Sequence, residues 1–219
     1  MKNIKGVIFD MDGTLIDSMW MWGRVEADYL ISLGLTPRSD LVAALRTLSL
    51  QEVARYFQVE YGVRQSVEEI NKGKNRVIED FYSNKVLLKE GALPVLEALQ
   101  QRDVKMCVVT ATDRYLAEPG LRRCGILDYF ERIYTCEEEG ISKSVPDMFL
   151  TAAAFLGTEI SQTLVVEDAY YAMRSAKSAG FPVAGVYDLS SDDQQEEIRN
   201  FCDYYWKSLN EMLELIERG

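Results

Sequence analysis

From Gly91 onward, the sequence alternates between short apolar segments and segments with helical spacing. The apolar segments predict strands at 104–110, 132–135, 163–166 and 182–186, each separated from the next by a predicted helix. Strands that alternate with helices indicate βαβ units and a mostly parallel sheet that is covered on both faces. The sequence therefore predicts an α/β fold with a doubly wound sheet.

The first part of the chain divides into one strand and a helical block. The run Gly6–Asp10 predicts a strand that joins the later α/β segment, whereas 18–85 has helical periodicity and no convincing strand. Two capping boxes, Ser49–Glu52 and Ser66–Glu69, predict helix starts in this block. We therefore expect a helical insertion after the first strand. The predicted bounds are 1–16 with 88–219 for the α/β core and 17–87 for the helical cap domain.

Charge and composition indicate which classes of binding partner and which cellular location to expect. The 219 residues include 24 Lys and Arg against 35 Asp and Glu, which gives a formal net charge of -11. This balance disfavours nucleic acid, because phosphate backbones are bound mainly through basic patches. We expect no membrane partner and a cytoplasmic location, since no apolar run reaches spanning length and no signal peptide is evident. The oligomeric state is left open, a monomer included.

The sequence contains no histidine. Mechanisms that need a Ser-His pair, a Cys-His pair or a His-ligated zinc are therefore excluded. Any general acid or base must be a carboxylate, a lysine, a tyrosine or a cysteine.

Polar residues cluster where the predicted strands end. In doubly wound sheets, ligands bind beyond the carboxyl ends of the strands. The polar residues at those ends are Asp10, Asp12, Thr110, Glu167 and Asp168. A lysine, Lys143, lies in the loop before the helix that begins at Pro146. We expect these side chains to share one edge of the sheet.

These residue types suit a phosphoryl group held beside a metal ion. Carboxylates that lie close together repel, and a hard divalent cation such as Mg²⁺ relieves that repulsion. Lys143 and Thr110 suit a phosphate dianion, and the backbone N–H of the turn at Ala111 can add a donor. One carboxylate can attack such a phosphate to form an aspartyl-phosphate. A second can protonate the leaving oxygen and then activate water.

Four motifs resemble those of the haloacid dehalogenase (HAD) superfamily of phosphotransferases. V-I-F-D-M-D-G-T-L-I-D-S at 7–18 is similar to the first motif, and V-V-T-A-T at 108–112 to the second. K-S-V-P-D-M-F at 143–149 resembles the third, and V-V-E-D-A-Y-Y-A-M-R-S-A-K-S-A-G at 165–180 the fourth. The motifs follow the family's order across nearly the whole chain. The resemblance is to the β-phosphoglucomutase-like and phosphoglycolate-phosphatase-like branch, with a Rossmann-like core and a helical cap.

The resemblance implies a role for each polar residue at the strand ends. It makes Asp10 the nucleophile and Asp12 the general acid and base. It implies that Mg²⁺ is held by Asp10, the backbone carbonyl of Asp12, Asp168, and Glu167 either directly or through water. It also implies that the phosphoryl group is held by Thr110, Ala111 and Lys143.

Three residues of the helical block are candidates for substrate specificity. Trp22 shares a helical stripe with Val25 and Tyr29, which favours a place in the core of the cap. Trp20 lies off that stripe and either lines a cleft or is exposed. Arg46 either reaches a substrate anion or is solvated.

The function predicted from these features is a Mg²⁺-dependent phosphatase, a phosphoric monoester hydrolase that acts on a small phosphorylated metabolite. The first alternative is a phosphomutase of the β-phosphoglucomutase type. Its members tend to carry a histidine early in the cap, where this chain has Trp22, and this weakens the alternative. The second alternative is a HAD-fold binding or regulatory protein without turnover. It is disfavoured because the chain retains Asp10, Asp12, Thr110, Lys143 and Asp168.

Overall fold

A computed structural model describes residues 3–45 and 48–218 of the chain. The strands are β1 (Gly6–Phe9), β2 (Lys105–Thr110), β3 (Ile133–Thr135), β4 (Thr163–Glu167), β5 (Val183–Val186) and β6 (Tyr204–Trp206). They form one sheet in the order β3-β2-β1-β4-β5-β6, and all neighbouring strands are parallel. The predicted α/β fold with a doubly wound parallel sheet is confirmed, and β1 lies near the centre of the sheet.

Helices connect the strands and form the segment that follows β1. Over the described residues they are α1 (Met19–Trp22), α2 (Val25–Ser32), α3 (Leu41–Leu45), α4 (Leu50–Glu60), α5 (Val67–Asn84), α6 (Ala92–Gln100), α7 (Arg114–Arg123), α8 (Cys136–Glu139), α9 (Asp147–Leu156), α10 (Tyr170–Ser178), α11 (Gln195–Phe201) and α12 (Leu209–Glu217). Across 3–45 and 48–218, none of the helices combines the length and the apolar character that crossing a bilayer requires.

The chain forms two compact units. One comprises Met1–Met19 with Val86–Gly219 and contains the sheet, and the other is the helical segment Trp20–Lys85. That the helical segment is a cap domain, with the bounds 17–87, stays a prediction.

The register of the central strands brings their carboxyl ends to one edge. Phe9, the last residue of β1, lies opposite Val108 of β2 and Val166 of β4. All four residues of β1 and all five of β4 are buried, which is expected for central strands of a parallel sheet covered by helices. Residues that follow β1 and β4 therefore emerge side by side.

The edge strand β6 was not predicted from the sequence. It consists of Tyr204, Tyr205 and Trp206, and only Trp206 is buried. Three residues are too few to show the alternation that marks a strand. Its pairing with β5 therefore depends on tertiary contacts.

Both predicted capping boxes are confirmed in the helical segment. The Ser49 side chain accepts from the Glu52 amide and the Glu52 carboxylate accepts from the Ser49 amide, and Ser66 and Glu69 make the same pair of bonds. These boxes begin α4 and α5. The apolar faces of the helices bury Tyr29, Leu30, Leu41, Val53, Ala54, Phe57, Val63 and Ile70.

The expectation that Trp22 belongs to the core of the helical segment is wrong. Its side chain is 39% exposed, and its ring lies 6.4 Å from that of Tyr82. The stripe is broken because α1 ends at Trp22 and a turn closes through the bond from the Arg24 amide to the Met21 carbonyl. Met21 takes the buried position instead.

We predict that Gly73→Ala lowers the free energy of unfolding. In an exposed helix interior, alanine is worth about 1 kcal/mol more than glycine. At Gly73 the added Cβ would overlap Cε2 of Tyr29, whose ring is buried and stacks on Phe57. We therefore expect a net loss of about 1–3 kcal/mol in chemical denaturation. The control is Asn75→Ala at an exposed position of α5, where no loss is expected. A stabilising Gly73→Ala would contradict the packing described for Tyr29.

Candidate active site

Asp10 is fixed at the carboxyl end of β1 by its own backbone. Its amide donates to the Val166 carbonyl at 2.9 Å, which continues the pairing with β4 by one residue. Its side chain is buried. The carboxylate therefore leaves the sheet at the point where β1 and β4 end together.

Gly13 allows the chain to turn sharply beside this carboxylate. Its φ is +83°, a left-handed conformation that glycine adopts without penalty. A Cβ at this position would lie 2.5 Å from Oδ2 of Asp168. The glycine is thus required both by the turn and by the close approach of Asp168.

Lys143 joins two buried carboxylates. Its Nζ lies 2.6 Å from Oδ1 of Asp10 and 2.5 Å from Oε1 of Glu167. All three side chains are buried, so these ion pairs are shielded from solvent and salt. The ammonium reaches the carboxyl edge of the sheet from the loop before α9.

Glu167 uses both of its oxygens inside the protein. Oε1 accepts from Lys143, while Oε2 accepts from the backbone amides of Asp168 at 3.1 Å and Ala169 at 3.0 Å. Glu167 therefore orients Lys143 and fixes the chain that leads into α10.

Burial and crowding shift the proton affinities of this cluster. Burial raises the pKa of Glu167 to about 7, although the Lys143 ammonium acts in the opposite direction. Burial and the nearby charges of Asp10 and Glu167 raise the pKa of Asp168 well above its ordinary value. Burial opposes the charge on Lys143, but the two carboxylates outweigh it and raise its pKa well above the usual range. The single positive charge of Lys143 does not balance the carboxylates of this cluster.

The donor set fits a hard divalent cation. Asp10, Glu167 and Asp168 each offer a carboxylate oxygen, and these oxygens all lie within 4.8 Å of one another. All three carboxylates are buried, and the Lys143 ammonium pairs with Asp10 and Glu167, so a further cation would offset the remaining repulsion. Carboxylate oxygens are the ligands that Mg²⁺ prefers.

Asp12 is held by two hydroxyl groups. Ser18 Oγ donates to Oδ1 at 2.5 Å, and Thr112 Oγ1 donates to Oδ2 at 2.7 Å. Ser18 and Thr112 were not among the residues predicted for the site. The position of Thr112, two residues after Thr110 in the second motif, is the sequence signal that could have indicated it.

Thr110 ends β2 beside the acidic cluster. Its side chain is buried, its Oγ1 accepts from the Thr112 amide at 3.0 Å, and no described residue accepts a hydrogen bond from its hydroxyl group. Ala111 lies in the exposed turn between them. The roles predicted for Thr110 and Ala111 in holding a phosphoryl group stay predictions.

The remaining specificity candidates lie in the helical segment. Trp20 and Trp22 are both exposed, and the Trp20 ring packs edge-on against Phe81 at 5.3 Å. Arg46 lies outside the described residues. The specificity roles of all three stay predictions.

The fold and the site together define an α/β protein with an acidic centre at the carboxyl edge of a parallel sheet. A family model described as haloacid dehalogenase-like hydrolase matches residues 7–186. The chain therefore belongs to the haloacid dehalogenase-like hydrolase family, and the resemblance of its four motifs is confirmed.

Two relatives of the chain are named as phosphatases. Hexitol phosphatase B from Escherichia coli (strain K12) is 27% identical over 188 residues, which cover 81% of this chain and 81% of that protein. Fructose-1-phosphate phosphatase YqaB from the same organism is 25% identical over 189 residues, covering 83% and 95%.

A solved structure supports the fold. The crystal structure of a HAD family hydrolase from Deinococcus radiodurans R1, with bound phosphate and sodium, matches with a TM-score of 0.73 at 22% identity. The match covers 99% of this chain and 97% of that chain. At this identity the likeness concerns the fold.

We predict that Asp168→Asn stabilises the protein when Mg²⁺ is removed. The substitution takes one charge from the crowded cluster and keeps the shape of the side chain. We expect the free energy of unfolding at pH 7 to rise by about 1–3 kcal/mol in chelator. The pKa of Asp168 is higher in the folded protein than in the unfolded protein. The wild type therefore loses stability as the pH rises above the pKa that Asp168 has in the unfolded protein. The stability gained by Asp168→Asn should accordingly vanish below about pH 4.

Thermal melts with and without Mg²⁺ check this prediction. Mg²⁺ should raise the melting temperature of the wild type and leave that of Asp168→Asn unchanged. Asp128→Asn removes the same charge at an exposed position and serves as the control. An equal Mg²⁺ response in wild type and Asp168→Asn would show that Asp168 does not hold the ion.

Proposed function

We propose that the chain is a Mg²⁺-dependent phosphatase that hydrolyses a small phosphorylated metabolite through an aspartyl-phosphate on Asp10. The observation that carries the proposal is the buried Asp10 carboxylate, paired at 2.6 Å with Lys143 and followed two residues later by Asp12. Asp10, Asp168 and the backbone carbonyl of Asp12 would hold Mg²⁺, and Glu167 would hold it directly or through water. When bound, Mg²⁺ would neutralise negative charge on the carboxylates and on the phosphoryl oxygens.

Asp10 has the features of a nucleophile. Its Oδ1 accepts from Lys143, and no described residue donates a hydrogen bond to its Oδ2. The bond from Lys143 fixes the orientation of this carboxylate, which attack on phosphorus requires. In the first step a carboxylate oxygen of Asp10 forms a bond to phosphorus as the bond to the leaving oxygen breaks.

Asp12 has the features of the acid and base. Its carboxyl group would give a proton to the leaving oxygen in the first step. In the second step it would take a proton from water, whose oxygen then bonds to phosphorus as the Asp10–phosphorus bond breaks. The bonds from Ser18 and Thr112 limit the positions that this carboxyl group can take.

Phosphate binding would rest on Lys143, on the hydroxyl of Thr110 and on the backbone N–H at Ala111. A buried ammonium and a free hydroxyl hydrogen are donors suited to a phosphate dianion. The names of two relatives, a hexitol phosphatase and a fructose-1-phosphate phosphatase, favour phosphorylated sugars or sugar alcohols as substrates.

We extend the proposal to the helical unit Trp20–Lys85, which would act as the cap that selects substrates. Exposed aromatic side chains can pack against the organic part of a ligand. Trp20 and Trp22 are the exposed aromatic side chains that support this role. We expect a small-molecule substrate, with neither nucleic acid nor a membrane as partner, and a cytoplasmic location.

We predict that Asp10→Asn abolishes release of phosphate, because the amide cannot form the acyl-phosphate. Asp12→Asn should lower the rate by about 10²–10⁴, the range of general acid–base catalysis. Phosphate release is measured with Mg²⁺ present, and Asp128→Asn should retain the wild-type rate. An Asp10→Asn variant with near wild-type turnover would contradict the proposed nucleophile.

A substrate panel distinguishes the three candidate functions. We predict net phosphate release from sugar phosphates or sugar-alcohol phosphates, and the panel also contains nucleotides, phosphoglycolate and pyrophosphate. A phosphomutase would instead convert a hexose 1-phosphate in the presence of a bisphosphate activator, with little free phosphate. A chain that turns over none of these esters would favour a binding or regulatory role.

A further inference from the structure

Two backbone segments of the unit that contains the sheet pair antiparallel to each other, and we call them the ribbon, which consists of residues 15–17 and 87–89. The Asp17 amide donates to the Leu87 carbonyl at 2.9 Å. The Lys89 amide donates to the Leu15 carbonyl, also at 2.9 Å. The two segments therefore hold each other through their backbones.

The first segment of the ribbon is bound to Asp12. Asp12 forms a bridge with Ile16, and the Gly13 amide donates to the Ile16 carbonyl at 3.0 Å. Ser18, which directly follows this segment, donates through Oγ to Oδ1 of Asp12 at 2.5 Å. A shift of the ribbon would therefore displace both the backbone and the carboxyl group of Asp12.

Lys89 ties the second segment of the ribbon to the end of β5. Its Nζ donates to the Tyr187 carbonyl at 3.0 Å and to Oδ2 of Asp188 at 2.8 Å. The side chains of Lys89 and Asp188 are 17% and 7% exposed, so their ion pair is largely shielded from solvent and salt. Tyr187 and Asp188 directly follow Val186, the last residue of β5. The ammonium therefore links the ribbon to the carboxyl edge of the sheet.

Asp188 is itself fixed by further hydrogen bonds. Its Oδ1 accepts from the Ser190 amide at 2.9 Å and from the Ser190 Oγ at 2.7 Å. Its carbonyl accepts from Nε2 of Gln195 at 3.2 Å. Burial acts to raise the pKa of the Asp188 carboxyl group, but the bonds from Lys89 and Ser190 outweigh burial and lower this pKa. Asp188 is thus a charged and well-held partner for Lys89.

A second lysine makes the same two kinds of bond at the opposite edge of the sheet. The Nζ of Lys177 donates to the Phe201 carbonyl at 2.6 Å and to Oδ1 of Asp203 at 3.0 Å. Asp203 directly precedes β6, and its amide donates to the carbonyl of Val183, the first residue of β5. This pair therefore lies at the amino edge, away from the candidate site, and Lys177 is a matched control for Lys89.

We propose that Lys89 and Asp188 are positioning residues, whose ion pair holds the ribbon and thereby places the carboxyl group of Asp12 for proton transfer. This inference rests on the proposed function and concerns two residues that lie outside the four motifs. Neither side chain takes part in bond making. A misplacement of about 1 Å at a catalytic group can lower a rate by about 10².

The experiment compares two phosphoesters that differ in the leaving group. One is the sugar phosphate or sugar-alcohol phosphate that the wild type hydrolyses fastest, and the other is p-nitrophenyl phosphate. An alkoxide leaving group needs a proton from Asp12, whereas the acidic p-nitrophenol group needs little protonation. Lys89→Met should therefore lower kcat/KM by about 10-fold to 100-fold for the sugar ester, and by less than about threefold for p-nitrophenyl phosphate.

Three further variants serve as controls. Lys177→Met should keep both kcat/KM values within about twofold of the wild type. Lys89→Arg keeps the positive charge and should retain more activity toward the sugar ester than Lys89→Met. Lys89→Met leaves the buried carboxylate of Asp188 unpaired, which can impair folding. The double variant Lys89→Met with Asp188→Asn removes that charge and should show the same selective loss.

Three kinetic results would overturn the proposal. The first is a loss of equal size on both esters, which indicates a general structural role. The second is no loss on either ester in Lys89→Met and in the double variant. The third is an equally selective loss in Lys177→Met.

Hydrogen exchange separates this proposal from the proposed function. The Asp17 amide should exchange about tenfold faster in Lys89→Met than in the wild type and be unchanged in Lys177→Met. A wild type that hydrolyses neither ester would contradict the proposed function, and faster exchange in Lys89→Met would still show that Lys89 holds the ribbon. An active wild type with unchanged exchange in Lys89→Met would retain the proposed function and exclude the positioning role.

Discussion

The burial of three carboxylates around one ammonium is the interaction on which the rest of the site depends. Asp10, Glu167 and Lys143 come from three separate parts of the chain, and none of them is exposed to solvent. Removing one partner from such a group leaves an uncompensated buried charge, which costs several kcal/mol. The ion pairs therefore tie the loop before α9 to the ends of β1 and β4. Among the described residues no ammonium forms an ion pair with Asp168, which is why the cluster suits a cation.

Backbone hydrogen bonds help to hold two of these carboxylates in place. The register of β1 and β4 fixes Asp10 through its amide bond to Val166. Glu167 accepts from two amides at the start of the chain segment that leads into α10, so its second oxygen is satisfied without a side-chain partner. These backbone bonds restrict the positions of the Asp10 and Glu167 side chains.

Strand order made part of this site predictable from the sequence. Asp10 and Glu167 follow apolar runs, and parallel strands bring such positions to one edge. The position of Thr112 in the second motif could have indicated a place in the site, but its bond to Asp12 was not predictable, because the two residues are separated by 100 positions. The burial of Trp22 was wrongly predicted, because helical periodicity in the sequence does not reveal the turn that ends α1. The strand β6 is too short to show a period.

In the proposed reaction, the two aspartates of the first motif differ in the partners that the fold gives them. Asp10 accepts a hydrogen bond from the Lys143 ammonium at 2.6 Å, which fixes the orientation of the proposed nucleophile. Asp12 accepts hydrogen bonds from the hydroxyl groups of Ser18 and Thr112, and a hydroxyl can donate to a carboxylate or accept from a carboxylic acid. Asp12 can therefore stay hydrogen-bonded in either protonation state. In a chain without histidine, this contrast lets two identical side chains divide attack from proton transfer.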